Sequence, residues 1–161
     1  MKAVYAGSFS PPTLGHLDIL TRLSSMYDEV VAAIMVNPAK RPYLTTEERL
    51  QSMEDAVAHL GNVRVMAGSG ATVELARQVG AQVMVRGLRS VTDFEYESTL
   101  AAGYRYMAPE IETVFMLSKP EYGYISSSLV RDIHVLGGDI QALVPQSVVR
   151  TLERKASSKG E

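Results

Sequence analysis

The sequence predicts an α/β fold in which helices cover both faces of one open, doubly wound parallel sheet of five strands. Short apolar runs alternate with helical patterns along the whole chain. Several runs, such as Val30–Val36 and Val83–Val85, are continuously apolar and do not alternate with polar residues. Strands that are buried on both faces have this pattern, and such strands belong to parallel sheets. The regular succession of strand and helix points to the same class of fold.

Five strands are predicted where apolar runs are bounded by turn residues or by helical patterns. They cover Lys2–Ala6, Glu29–Val36, Val63–Met66, Gln82–Arg86 and Glu112–Leu117. Parallel strands require crossover connections, and those connections are right-handed. The predicted strand order is the Rossmann-like 3-2-1-4-5, in which the order reverses between the first and fourth strands.

Helices are predicted where apolar residues recur every three or four positions, as at Leu17, Leu20 and Leu23. A capping box at Thr45–Glu48 opens the second helix. Three later helices end before a glycine or a proline, and the last helix begins after Pro145. The six helices cover His16–Tyr27, Thr45–Leu60, Ala71–Val79, Asp93–Met107, Ser127–Leu136 and Gln146–Lys155.

The 161 residues are predicted to form a single domain over 1–161. No internal repeat, low-complexity segment or long linker divides the sequence. Residues 156–161 are polar and follow the last helix, so we expect them to form a flexible tail.

Composition excludes several classes of function. Hydrophobic residues are 46% and charged residues 21%, which is typical of a globular protein. The absence of cysteine removes disulfides, thiolate nucleophiles and Cys-ligated metals, and the three histidines have no metal-ligand spacing. The net charge of −2 argues against a nucleic-acid-binding protein. Because the sequence contains neither a membrane-spanning run nor a signal-peptide pattern, we expect no membrane association and a cytoplasmic location.

Ligands of such sheets bind beyond the carboxyl ends of the strands, where the strand order reverses. The connection Gly7–His16 follows the first strand, and Gly87–Arg89 follows the fourth. Small residues in the first connection would let the backbone approach an anion at the start of the next helix. His16 falls in the first turn of that helix, where the dipole favours a neutral imidazole that donates one hydrogen bond. An ordinary turn with a surface histidine would give the same spacing.

Basic residues follow two further strands. Lys40 and Arg41 lie in a proline-stiffened loop after the second strand, where they could also be a solvated charge pair. Arg86 ends a buried strand and therefore needs an anionic partner, which is either a ligand or an internal carboxylate. Glu97 shares a helical stripe with apolar residues between Phe94 and Ala108, so it should face packed structure and have a partner of its own.

Three consecutive serines, Ser126–Ser128, follow the fifth strand. One of them is expected to cap the next helix, and the cluster could bind phosphate oxygens. Together with Ser8, His16, Lys40, Arg86 and Arg89, these serines would lie on one rim of the sheet. A site of donors and cations without a nucleophile suits phosphoryl or nucleotidyl transfer.

These residues form recognisable motifs. The segment Gly7-Ser-Phe-x-Pro-x-Thr-x-Gly-His16 resembles the N-terminal signature of the (T/H)xGH nucleotidyltransferase superfamily. Arg86-Gly-Leu-Arg89, Asp93-Phe-Glu-Tyr-Glu97 and Ile125–Ser128 narrow the resemblance to bacterial phosphopantetheine adenylyltransferases, from residue 4 to about residue 145. Two positions depart from that family's usual pattern: Ser10 replaces an aspartate, and Gly103-Tyr104 replaces a Met-Asn pair.

The resemblance implies adenylyl transfer from ATP to 4′-phosphopantetheine, which yields dephospho-coenzyme A and pyrophosphate. It also implies Mg²⁺, held mainly by the ATP phosphates and not by protein ligands, and a homohexamer. By position, His16 would stabilise the transition state, aided by Lys40 and Arg89. The positions that match acceptor-binding residues are Ser8, Lys40, Thr72 and Arg86. The positions that match ATP-binding residues are Ser8, Phe9, His16, Gly87, Leu88, Arg89, Glu97, Tyr122, Gly123, Tyr124, Ile125, Ser126, Ser127 and Ser128.

Two alternative functions remain open from the sequence. One is an enzyme of the same class that acts on a different acceptor, such as nicotinamide mononucleotide or a sugar or glycerol phosphate. The other is a nucleotide-sensing module that kept the fold and lost the chemistry, for which Ser10 is the favouring feature.

Overall fold

The sheet is parallel throughout and has the predicted strand order. In the computed structural model, which describes residues 1–158, the five strands are ordered β3-β2-β1-β4-β5. The strands are β1 Lys2–Gly7, β2 Glu29–Val36, β3 Val63–Ser69, β4 Val83–Leu88 and β5 Glu112–Leu117. The α-helices are α1 Leu14–Met26, α2 Thr46–Val57, α3 Thr72–Gln78, α4 Val91–Met107, α5 Ser127–Val135 and α6 Gln146–Ser157.

Apolar side chains of the strands pack on both faces of the sheet, as their sequence pattern predicts. On one face, Tyr5 and Val30 pack with Leu20 of α1 and Met53 of α2. On the other face, Val4 and its neighbours pack with side chains of α3. A third cluster joins α5 and α6 to the segment before α2.

Several predicted boundaries are wrong by a few residues. Strand β4 runs to Leu88, because Gly87 and Leu88 pair with Met116 and Leu117 of β5. These two residues therefore belong to a strand, whereas the sequence placed them in the connection after it. Strand β3 likewise extends to Ser69 through its pairing with β2.

The last helix is longer than predicted. α6 continues to Ser157, so residues 156 and 157 belong to the helix and not to a tail. Arg154 and Lys155 in its last turn favour this extension, because cations stabilise the carboxyl end of a helix. Residues 159–161 of the predicted tail lie outside the described residues. No helix within residues 1–158 is long and apolar enough to cross a membrane.

Candidate active site

Two adjoining cavities lie at the carboxyl edge of the sheet. The first, of about 400 Å³, lies where the ends of β1 and β4 meet the starts of α1 and α5. The second, of about 890 Å³, lies beside the loop that follows β2. Ser8 and Arg131 line both cavities and therefore mark the boundary between them.

Most of the predicted site residues line one of these two cavities. The first cavity contains Ser8, Phe9, His16, Arg86, Gly87, Arg89, Glu97, Ile125, Ser126, Ser127 and Ser128. The second contains Ser8 and Lys40. Five predicted site residues line neither cavity: Thr72, Leu88, Tyr122, Gly123 and Tyr124. Thr72 begins α3, and Leu88 is buried within β4.

The orientation of His16 is set by the start of α1. Thr13 caps this helix, and its hydroxyl accepts a hydrogen bond from the His16 amide at 3.3 Å. In return, His16 Nδ1 accepts a hydrogen bond from the Thr13 amide at 3.0 Å. The histidine thus takes the place that Glu or Gln usually has in a capping box. Because Nδ1 is an acceptor here, the ring proton of the neutral imidazole lies on Nε2.

The surroundings of His16 keep its imidazole neutral. Burial and, to a smaller extent, the charge of Arg89 lower the pKa of His16 to about 4. The edge-on ring of Phe9, whose centroid is 4.8 Å from that of His16, contributes to this burial. The sequence predicted a neutral imidazole from the helix dipole alone, whereas burial is the larger cause. At neutral pH, His16 is therefore a fixed hydrogen-bond donor through Nε2.

Phe9 occupies an unusual backbone conformation between the two cavities. Its φ angle is +45°, a left-handed conformation that is uncommon for residues other than glycine. Its ring is almost fully buried and packs edge-on against Tyr5. Gly7 allows this arrangement, because a Cβ at that position would lie only 3.3 Å from the Phe9 ring.

The anionic partner of Arg86 is Glu97. Arg86 Nε donates to Glu97 Oε2 at 2.7 Å, and Nη2 donates to Oε1 at 2.8 Å. The side chains are only 20% and 12% exposed. Burial lowers the pKa of Arg86, but hydrogen bonds and charge from Glu97 outweigh it and raise the pKa overall. The sequence predicted that both residues need partners, and the internal carboxylate is the correct alternative for Arg86.

Arg89 is held less tightly than Arg86. Its Nε lies 3.3 Å from Asp93 Oδ2, and the same carboxylate oxygen accepts the Arg89 amide at 2.9 Å. The side chain is 40% exposed. Its Nη1 also donates to the Ile125 carbonyl at 3.4 Å, which leaves Nη2 to bind an anion in the first cavity.

The three serines close the opposite side of the first cavity. Ser126 caps α5 by accepting the Leu129 amide at 3.1 Å, which confirms the predicted helix cap. Ser127 donates to the Pro11 carbonyl at 2.8 Å and so ties α5 to the loop after β1. Ser128 lies 3.1 Å from Ser126, hydroxyl to hydroxyl.

The second cavity is basic. Lys40, Arg41, Arg49 and Arg131 all line it, and none of the described residues around it is acidic. Arg49 and Arg131 were not predicted as site residues. For Arg131 a signal exists, because it lies four residues after Ser127 and therefore on the same face of α5.

Comparison with known proteins agrees with this geometry. Residues 4–133 match the family model described as cytidylyltransferase-like. The chain is 46% identical over 155 residues to the phosphopantetheine adenylyltransferase of Symbiobacterium thermophilum, covering 96% of each chain. It is 46% identical over 153 residues to that of Bdellovibrio bacteriovorus, covering 95% of this chain and 96% of the relative. It is 44% identical over 153 residues to the phosphopantetheine adenylyltransferase of Limosilactobacillus reuteri, covering 95% of this chain and 88% of the relative.

The resemblance expected from the sequence motifs is thereby confirmed. The identity of 46% extends over nearly the full length of the chain, which is sufficient to assign the family. The chain belongs to the phosphopantetheine adenylyltransferases, within the cytidylyltransferase-like proteins.

Proposed function

We propose that the protein transfers the adenylyl group of ATP to 4′-phosphopantetheine, yielding dephospho-coenzyme A and pyrophosphate, the penultimate step of coenzyme A synthesis in the cytoplasm. The observation that carries this proposal is the pair of adjoining cavities. A neutral histidine and Arg89 serve the first, and four cationic side chains line the second. Two polyanionic substrates that react with each other need two adjoining binding sites that supply positive charge and hydrogen-bond donors.

ATP fits the first cavity by its chemistry. Arg89 and the Nε2–H of His16 are donors for phosphate oxygens. Of the serine hydroxyls, Ser127 already donates to the Pro11 carbonyl, and Ser126 and Ser128 share one hydrogen bond, so this pair keeps one proton for a phosphate. These serines also form the start of α5, and a helix N-terminus favours anions. Phe9, Gly87, Leu88, Glu97 and Tyr122–Ile125 are assigned to ATP by their match to the family motifs. Glu97 would act there through Arg86, since that guanidinium engages both of its oxygens.

The phosphate-bearing acceptor fits the second cavity. Lys40 lines this cavity, and Ser8 faces both sites. Arg86 lines only the first cavity and is engaged by Glu97, so its assignment to the acceptor rests on the family match. Thr72 lies outside the lining, although Gly70, two residues earlier, belongs to it. The assignment of Thr72 therefore rests on the family match alone.

The reaction we propose is a direct displacement. An acceptor phosphate oxygen forms a bond to the α-phosphorus of ATP while the bond to the bridging oxygen of pyrophosphate breaks. His16 donates its Nε2 hydrogen bond to a non-bridging α-phosphate oxygen as charge shifts. Two unit charges about 4 Å apart interact by roughly 4 kcal/mol at an effective dielectric constant near 20, so Lys40 and Arg89 offset a substantial repulsion. No step requires a covalent enzyme intermediate.

Mg²⁺ is expected to enter with ATP. No cluster of three or more acidic or histidine side chains that could hold a metal occurs within the described part of the chain. The two carboxylates of the first cavity, Asp93 and Glu97, are both engaged by arginines. These residues do not make a protein cage, but they leave room for an ion carried by the phosphates. Such an ion would supply further charge neutralisation.

A panel of acceptors tests the proposed function. Pyrophosphate release from Mg-ATP is expected to be rapid with 4′-phosphopantetheine and slow with nicotinamide mononucleotide, glycerol 3-phosphate or sugar phosphates. Faster turnover with any of these other compounds would show that 4′-phosphopantetheine is not the preferred acceptor. Binding of ATP without turnover on any member of the panel would instead favour a nucleotide-sensing module.

We also propose that the protein is a homohexamer. Helix α4 contains no buried residue, although it carries Val91, Phe94, Tyr96, Tyr106 and Met107 as exposed apolar side chains. Tyr106 is 91% exposed. Exposed apolar side chains in this number on one helix are typical of an interface between subunits, and the number of six subunits rests on the family resemblance. Light scattering at micromolar concentration is expected to give six times the chain mass, and a stable monomer would contradict the proposal.

A further inference from the structure

Arg49 is a buried cation without an acidic partner. It lies in the first turns of α2 and is 4% exposed. Its guanidinium donates to the Ser8 carbonyl at 2.9 Å, the Thr46 hydroxyl at 3.3 Å and the Thr45 carbonyl at 3.4 Å. None of the ion pairs within residues 1–158 includes it.

Stability alone does not account for a charge at this position. Burying a guanidinium is costly unless a counter-charge compensates it, and neutral oxygens compensate only in part. The amino end of α2 also carries the positive pole of the helix dipole, which disfavours a cation. Burial accordingly lowers the pKa of Arg49, although an arginine remains protonated at any physiological pH. The charge of Glu47, an exposed neighbour on α2, opposes this effect but does not outweigh it, so Arg49 has no buried counter-charge among the described residues.

The second cavity is where that charge would be supplied. Arg49 lines this cavity together with Lys40, Arg41 and Arg131, and the described lining has no carboxylate. The guanidinium also holds the carbonyl of Ser8, while Arg131 Nη1 holds the carbonyl of Ser10 at 2.6 Å. The two arginines thus grip the segment on either side of Phe9, the residue with positive φ.

These two hydrogen bonds fix the segment Ser8–Ser10 at the boundary between the two cavities. A left-handed phenylalanine is strained and persists only where its surroundings hold it. Ser8, whose carbonyl Arg49 fixes, lines both cavities. Moving Ser8 would therefore alter the distance between a ligand in one cavity and a ligand in the other.

We propose that Arg49 is a positioning and specificity residue for the anionic acceptor. Its buried charge makes the second cavity select a ligand that carries a phosphate, and its bond to Ser8 keeps that ligand in line with the nucleotide. The inference rests on the proposed function, because the acceptor is taken to be 4′-phosphopantetheine.

The test compares Arg49→Met, Arg49→Lys and the wild type. Methionine keeps the apolar length and removes the charge, and lysine restores the charge without the planar fork. Arg150→Met, at an exposed position of α6, is the matched control. Calorimetry measures the affinity for the acceptor, 4′-phosphopantetheine, and for pantetheine, which lacks the phosphate. Steady-state kinetics gives the KM for each substrate, and thermal unfolding gives the Tm.

Arg49→Met is expected to weaken the binding of the phosphorylated acceptor, raising both its Kd and its KM at least tenfold. The KM for ATP and the Kd for pantetheine should stay within about twofold of the wild type. Arg49→Lys should recover most of the affinity, and Arg150→Met should match the wild type. A purely structural role would lower the Tm and weaken both substrates equally. That result, or unchanged affinity for the phosphorylated acceptor in Arg49→Met, would overturn the proposal.

Two further outcomes are separated by the same experiment. If Arg49→Met does not fold, Arg49→Gln removes the charge with a polar side chain and carries the same expectations. If the wild type binds 4′-phosphopantetheine but transfers no adenylyl group, the proposed function fails while the binding comparison still decides the role of Arg49.

Discussion

Replacing His16 with alanine is expected to lower kcat about 10²–10³-fold while the affinity for ATP changes by less than about threefold. The reason is the geometry of the imidazole. Its Nδ1 is occupied by the Thr13 amide, so only Nε2–H faces the cavity, where it serves the charge that develops in the transition state. Steady-state kinetics and calorimetric ATP binding check the two quantities side by side.

His59→Ala is the control for this prediction, because His59 is exposed after α2. The ratio of wild-type to His16→Ala kcat should stay constant from pH 8 to pH 6, since the pKa of His16 is about 4 and its charge does not change in that range. A ratio that bends near pH 6.5 would indicate a histidine with an ordinary pKa. Equal losses of kcat and of ATP affinity would mean that His16 only binds ground-state ATP.

Removing the carboxylate of Glu97 is expected to cause the largest loss of stability. Glu97→Leu leaves Arg86 buried without its bidentate partner, which should lower the free energy of unfolding by about 3 kcal/mol. The double variant Arg86→Met/Glu97→Leu should recover most of this loss, because the uncompensated charge is gone. Chemical denaturation of both single variants and the double variant gives the coupling free energy.

Glu110→Leu is a matched control, because Glu110 pairs with Arg77 at the exposed surface. Its effect should be much smaller, as exposed ion pairs contribute little. Additive losses in the Arg86 and Glu97 variants would contradict the prediction, since they would show that the two side chains do not depend on each other.

The sheet could be predicted because its signals are local. Continuous apolar runs such as Val30–Val36 indicate burial on both faces, and the structure places them in the strands that flank the central strand β1. The capping box of α2 is likewise contained in four residues, and both of its hydrogen bonds form. The end of β4 could not be predicted in this way, because its pairing with β5 decides it.

Contacts between distant segments of the candidate site could not be predicted from the sequence. Arg86 and Glu97 could each be identified as needing a partner, but their pairing depends on how α4 crosses β4. The stripe on α4 was expected to be packed, yet Phe94 is about half exposed while Ala108 is buried. Arg49 lies far along the chain from Ser8, so only the folded structure shows that it grips the loop at the first cavity.

We propose that the site works by positioning and charge, without an enzyme nucleophile. The stereochemistry of transfer from ATP that is chiral at the α-phosphorus, by sulfur and oxygen-isotope substitution, distinguishes this mechanism from one with a covalent intermediate. A single displacement by 4′-phosphopantetheine predicts inversion of configuration at that phosphorus in the dephospho-coenzyme A formed. Retention would require two successive displacements through a covalent adenylyl-enzyme, and it would exclude direct transfer.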